Sequence, residues 1–137
     1  MPHDPALVQD TRAWLTRAQQ DLQAAEYVMR AAPPLQHAAV FHCQQSAEKA
    51  LKTLLTWHDV PFRKTHNLAE IGGACVEIDP TLRATVERAS RLTEYAWKFR
   101  YPGEPEDPTL EEVDLALTLA REVYTAILAR LPADVHP

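Results

Sequence analysis

Asp21, Gln44, Glu48 and Arg100 are polar residues set inside helical arcs that are otherwise apolar. In FHCQQSAEKALKTLL, residues 41–55, a turn of about 100° per residue gathers Cys43, Ala47, Ala50, Leu51, Leu54 and Leu55 into less than half a circle. Gln44 and Glu48 fall in or beside that arc, while His42, Gln45, Ser46, Lys49, Lys52, Thr53 and Thr56 read as a solvated face. Asp21 lies between Trp14 and Val28 on the first segment, and Arg100 falls among Leu82, Ala89, Ala96 and Phe99 on the fourth. A lone buried carboxylate or guanidinium is expensive, but a guanidinium can hold carboxylates through forked hydrogen bonds at tolerable cost. These residues are therefore expected to satisfy one another in one connected network. Such a network either fixes helix register or orients one member at the open end of the bundle, where a phosphate could reach it.

His66 is the histidine best placed for chemistry. It follows Arg63, Lys64 and Thr65 just before a helix start, where free N–H groups and basic side chains favour an anion. His42 falls on a polar face, His58 at a helix end, and His3 and His136 in terminal tails. Glu-x-x-His on paired helices, which a di-metal centre needs, does not occur, and no metal or cofactor is expected. Cys43 and Cys75 are far apart without a CxxC pair, so they read as buried reduced thiols.

The elements that must position these residues are helices. Only three glycines and no alternating strand pattern leave room for neither a phosphate-cradling loop nor many hairpins. Asp4-Pro5 is a cap followed by proline and opens a helix to about residue 31, where Pro33-Pro34 stops it. A second helix runs to about residue 58, and the short link makes the two an antiparallel hairpin. FRKTHNLAEIGGACVEI is a loop and a short helix, with Asn67 and Glu70 in capping-box spacing. Asp79-Pro80 starts a fourth helix to about residue 99 or 100. The stiff acidic loop YPGEPEDP follows, and Thr109 with Glu112 caps a last helix to about residue 131. The expected fold is all-α: one domain over 1–137, an antiparallel up-and-down bundle of four long helices plus one short one.

A chain of 137 residues, 46% hydrophobic and 24% charged, can bury one sizeable core. Its net charge of −5 argues against a general duplex-binding protein. Basic residues nonetheless concentrate in the middle third, from Arg63 to Arg100, and could make a local anion site. No apolar run approaches the ~20 residues of a membrane span, and the N-terminus lacks a signal-peptide pattern, so a soluble cytoplasmic protein is expected.

The segments WLTRAQQDLQAA, FHCQQSAEKALKTLL, FRKTHNLAEI and LTEYAWKFRYPGE, in that order, resemble the HEPN domain (higher eukaryotes and prokaryotes nucleotide-binding) from about residue 13 to 131. The resemblance implies a small helical bundle, commonly a homodimer. It often implies a minimal nucleotidyltransferase partner in a toxin–antitoxin pair. Some branches are metal-independent ribonucleases with an Arg-x4-6-His motif; Arg100 best matches that arginine, but no histidine follows it until His136. The expected function is a module that binds the nucleotidyltransferase and a nucleotide, through Asp21, Gln44, Glu48 and Lys49. The alternative is a dimeric ribonuclease in which Arg100 supplies the cation and His66 or Tyr101 transfers protons to or from RNA. A third reading is a helical dimer with no ligand. Tyr95, Trp97 and Tyr124 lie at or outside the main arcs and are candidates for the dimer surface.

Overall fold

Three of the α-helices begin on a side-chain cap that the sequence supplies. The computed structural model describes residues 2–99, 101, 102 and 106–137, and in it Asp4 accepts a hydrogen bond from Ala6 N and opens α1, Pro5–Val28. A turn through 29–35 leads into α2, Gln36–Trp57. That helix ends in a Schellman motif: Val60 N donates to Leu55 O, Asp59 N donates to Thr56 O, and Asp59 takes the left-handed conformation at φ 56. Asn67 caps α3, Leu68–Ile78, by accepting from Ala69 N and Glu70 N. The expected capping box there does not close, because the Glu70 carboxylate is held by Arg63 Nε at 2.8 and 3.1 Å. The box at Thr109 and Glu112 does close, and starts α5, Leu110–Leu128.

The fourth segment is helical as expected but not uniformly so. A 3-10 turn, Pro80–Leu82, leads into α4, Arg83–Ala89, and a second 3-10 stretch, Ser90–Ala96, follows. Ser90 Oγ donates to Val86 O and so competes with the helical ladder, while Thr93 Oγ1 accepts from Leu68 N and ties the segment to α3. Phe99, at φ 66, is a bulky residue in the left-handed region, where the helical path cannot continue. The long members of the bundle are thus α1, α2, α5 and the composite segment 80–96, with α3 the short one.

α1 and α2 form the hairpin, tied by Ser46 Oγ donating to Ala18 O. Segment 80–96 runs antiparallel to α5, as the pairs Asp79–Arg130, Arg88–Glu122 and Tyr95–Glu112 show. α2 sits at the centre, packed by α1, α3, α5 and the 3-10 stretch 90–96. That position corrects the reading of its polar face: Ser46, Lys52 and Thr53 are buried, and His42, Gln45 and Lys49 are half-buried. A wheel drawn for a helix with one covered side misses a helix covered on several. The apolar arcs themselves hold, with Leu15, Ala18, Cys43, Ala47, Leu51, Leu54, Leu82, Ala89 and Ala96 all buried.

Both termini are docked rather than loose. His3 meets Trp57 edge-on at 4.7 Å and donates to Asp134, while Arg12 reaches the Asp134 carbonyl. His136 Nε2 donates to the carbonyls of Leu128 and Leu131 at the end of α5. Tyr95 is buried and its ring stacks on Phe99, so it belongs to the core and not to an outer surface; Tyr124 is half-buried against the core, and Trp97 is 54% exposed. Among the described residues, no helix is long and apolar enough to cross a membrane.

Candidate functional site

Glu48 is the buried centre of the polar site. Its Oε1 accepts from Gln44 Nε2 at 3.0 Å and from His66 Nδ1 at 2.7 Å, and its Oε2 accepts from Lys52 Nζ at 3.1 Å. Three donors, one of them a neighbouring ammonium, are what a carboxylate needs to stay tolerable in a core. Lys52 is itself nearly covered, with Nζ 5.7 Å from the Trp14 ring centre and 5.4 Å from that of Phe62; these two rings meet edge to face at 5.8 Å. Gln44 is fully buried and receives Gln45 Nε2 on its own oxygen at 2.6 Å.

His66 carries this buried charge to the surface. Its side chain is 60% exposed although that of Glu48 is only 5% exposed. Since Nδ1 donates inward, Nε2 is the nitrogen left to face a ligand. The loop 58–67 that delivers His66 is held by the Schellman end of α2, by the Asn67 cap, and by a long contact from Gln44 Nε2 to His66 O at 3.5 Å. The expected open helix N-terminus beside it is not present: Leu68 N, Ala69 N and Glu70 N are all taken by Thr93 and Asn67, and Arg63 is paired with Glu70.

Asp21 anchors a second cluster between α1 and α2, accepting from His42 Nδ1 at 2.8 Å and from Lys49 Nζ at 2.6 Å. Burial alone would raise its carboxyl; the hydrogen bonds from His42 and Lys49, with their charges, outweigh that and hold it below the ordinary aspartate range. Among the described residues the polar side chains form two clusters held by lysine and histidine. Arg100 and Glu104 lie outside the described residues. Tyr101 is exposed, and so are Glu106 and Asp107 of the acidic loop.

His42 and Lys52 were missed as members of these clusters, though both left a trace in the sequence. Lys52 stands four residues after Glu48, the spacing of a helical ion pair, and His42 stands seven before Lys49 on the same face. The thiols of Cys43 and Cys75 are buried and pushed up to about 12 by that burial, which leaves them unreactive. Burial and the nearby carboxylates of Glu112 and Glu94 push Tyr95 to about 12, so its phenol stays protonated. No group of three or more His, Cys, Asp or Glu side chains among the described residues is placed to hold a metal.

A helical bundle in which the buried Glu48 of the central helix α2 and the half-buried Asp21 of α1 each hold a more exposed histidine is what the fold and the site define. The HEPN domain family model matches residues 11–131, and the chain belongs to that family. The fold is similar to the crystal structure of an archaeal HEPN homologue, with a TM-score of 0.67 and 22% identity over 90% of this chain and 96% of that one. No curated protein sequence matches the chain.

Proposed function

We propose that this HEPN chain is the binding module of a toxin–antitoxin-type pair, engaging a minimal nucleotidyltransferase partner and taking a nucleotide at the polar site on α2. The observation that carries the nucleotide half is the exposed His66, fixed on the buried Glu48 at 2.7 Å. An imidazole whose Nδ1–H is held by a core carboxylate is oriented so that, once Nε2 also carries a proton, that N–H donates to a phosphoryl oxygen, and little ordering remains to be done on binding. A net charge of −5 favours a small anion over a long nucleic-acid backbone. The partner half rests on the family. Co-expression with a minimal nucleotidyltransferase should yield a complex that survives size exclusion at physiological salt; two separate peaks would refute it.

A second reading is favoured by the same pair. A carboxylate that keeps Nδ1 protonated leaves Nε2 as a base, the arrangement that metal-independent cleavage of RNA would use. In that reaction His66 would take the 2′-hydroxyl proton, the 2′-oxygen would attack phosphorus, and the 5′-oxygen would leave with a proton from an acid such as Tyr101. Arg100 would face the phosphorane charge, in a dimer. Purified protein incubated with single-stranded RNA in chelator decides between the readings. Intact RNA is expected from the binding module, whereas cleavage lost in both Arg100→Ala and His66→Ala would establish the nuclease.

A further inference from the structure

The Lys52 ammonium is buried beside a carboxylate that is buried too: the two side chains are 8% and 5% exposed, with Nζ 3.1 Å from Glu48 Oε2. An ion pair of this i,i+4 spacing usually stands in solvent, where it does little. Here the rings of Trp14 and Phe62 replace water around the ammonium, 5.7 and 5.4 Å from Nζ to their centres. Packing alone does not account for a charge at that position. A methionine has the same reach and suits aromatic rings, without an ammonium to desolvate.

What the ammonium does is divide Glu48. Oε2 accepts from Lys52, while Oε1 accepts from Gln44 Nε2 at 3.0 Å and from His66 Nδ1 at 2.7 Å. One oxygen is turned to a charge in the core and the other to the histidine at the surface. A buried carboxylate needs a cation beside it, and Lys52 is that cation. His66 has only to donate a hydrogen bond, which neutral imidazole and imidazolium both do from Nδ1. Its Nε2 is thereby open to either state, a lone pair or an N–H. Other charges around the 58–67 loop are paired or exposed: Arg63 is held by Glu70 of α3 at 2.8 Å, Lys64 is exposed, and segment 90–96 meets the start of α3 through the neutral Thr93. The Asp21 cluster makes the contrast, since its ammonium, Lys49, is 25% exposed and water shares its charge.

We infer that Lys52 is a positioning residue for His66, acting through Glu48: it fixes the carboxylate oxygen that His66 meets and supplies the cation that His66 would otherwise have to be. The inference rests on His66 as the ligand-facing group in the reading above, and adds to it the residue that leaves both charge states open. With the ammonium gone, Glu48 keeps its charge by holding His66 as imidazolium. Nε2 then becomes a fixed donor and no longer takes a proton.

An NMR titration of the histidines in the full chain tests it, with wild type beside Lys52→Met and Lys52→Arg. In Lys52→Met the imidazolium of His66 should persist to a pH about one unit or more higher than in wild type. Lys52→Arg keeps the cation and should leave His66 where it is in wild type. Lys49→Met should move His42 by less than Lys52→Met moves His66; an equal shift would overturn burial as the source of the effect. A His66 titration that is the same in wild type and Lys52→Met overturns the inference and leaves Lys52 a space-filling residue. Should Lys52→Met fail to fold, the wild type alone still decides: the Lys52 15Nζ and Glu48 carboxyl 13C signals should move together as His66 titrates, and signals that stay still overturn the inference. Neither measurement contains a ligand. An absence of nucleotide binding therefore leaves Lys52 in its role, and an unmoved His66 leaves the nucleotide reading standing.

Discussion

Glu48 has three donors on two oxygens, and removing them has different consequences for stability and for the site. Glu48→Ala leaves the Lys52 ammonium buried between Trp14 and Phe62 without a counter-charge, which should cost about 3 to 5 kcal/mol in chemical denaturation. His66→Gln touches the same carboxylate from the solvent side and should cost far less. Asp21 gives a pH signature. Its carboxyl titrates below the ordinary ~3.9, so its hydrogen bonds stabilise the fold fully above that value and are lost as pH falls through the depressed one. The stability gap between wild type and Asp21→Asn should therefore be largest near neutrality and shrink in acid; a constant gap down to pH 2 would show that the charge contributes nothing. The anomaly of polar residues in apolar arcs was legible in the sequence. Their partners were not, because Lys52 and His42 lie on what reads as a solvated face until the other helices cover it.

The helices follow their caps closely, and most of their starts could be read from Asp4-Pro5, Asn67, Asp79-Pro80 and Thr109 with Glu112. The internal character of the fourth segment could not, since the 3-10 stretch 90–96 answers to contacts with α3 that no local pattern encodes. α3 offers a paired test of packing. A Cβ on Gly72 would press into the Val86 side chain, whereas one on Gly73 would meet nothing. Gly72→Ala should therefore destabilise by about 1 to 3 kcal/mol, less whatever helix propensity returns. Gly73→Ala should stabilise by up to about 1 kcal/mol. Equal melting temperatures for the two variants would mean that α3 and α4 do not approach as described.

At the scale of the whole molecule, the bundle was legible because four long periodic segments and short links leave few other ways to bury the apolar arcs. Its assembly is a separate matter. Tyr95 and Tyr124 pack inward, which leaves Trp97 as the exposed aromatic of the three first considered for a dimer surface. Sedimentation at micromolar concentration should give a species of twice 15.4 kDa if the family's homodimer holds here, and Trp97→Ser should shift it toward monomer. A monomer throughout would set the dimer aside. The central claim is narrower: a buried Glu48 fixes His66 so that Nε2 faces outward. Imidazole 15N spectroscopy of the intact protein tests it directly, free and with ATP added. The account predicts a proton on Nδ1 in the free protein and, on adding nucleotide, a saturable shift of Nε2 as it carries the proton that it donates to a phosphoryl oxygen; an Nδ1 without a proton, or an Nε2 that no nucleotide perturbs, would contradict it.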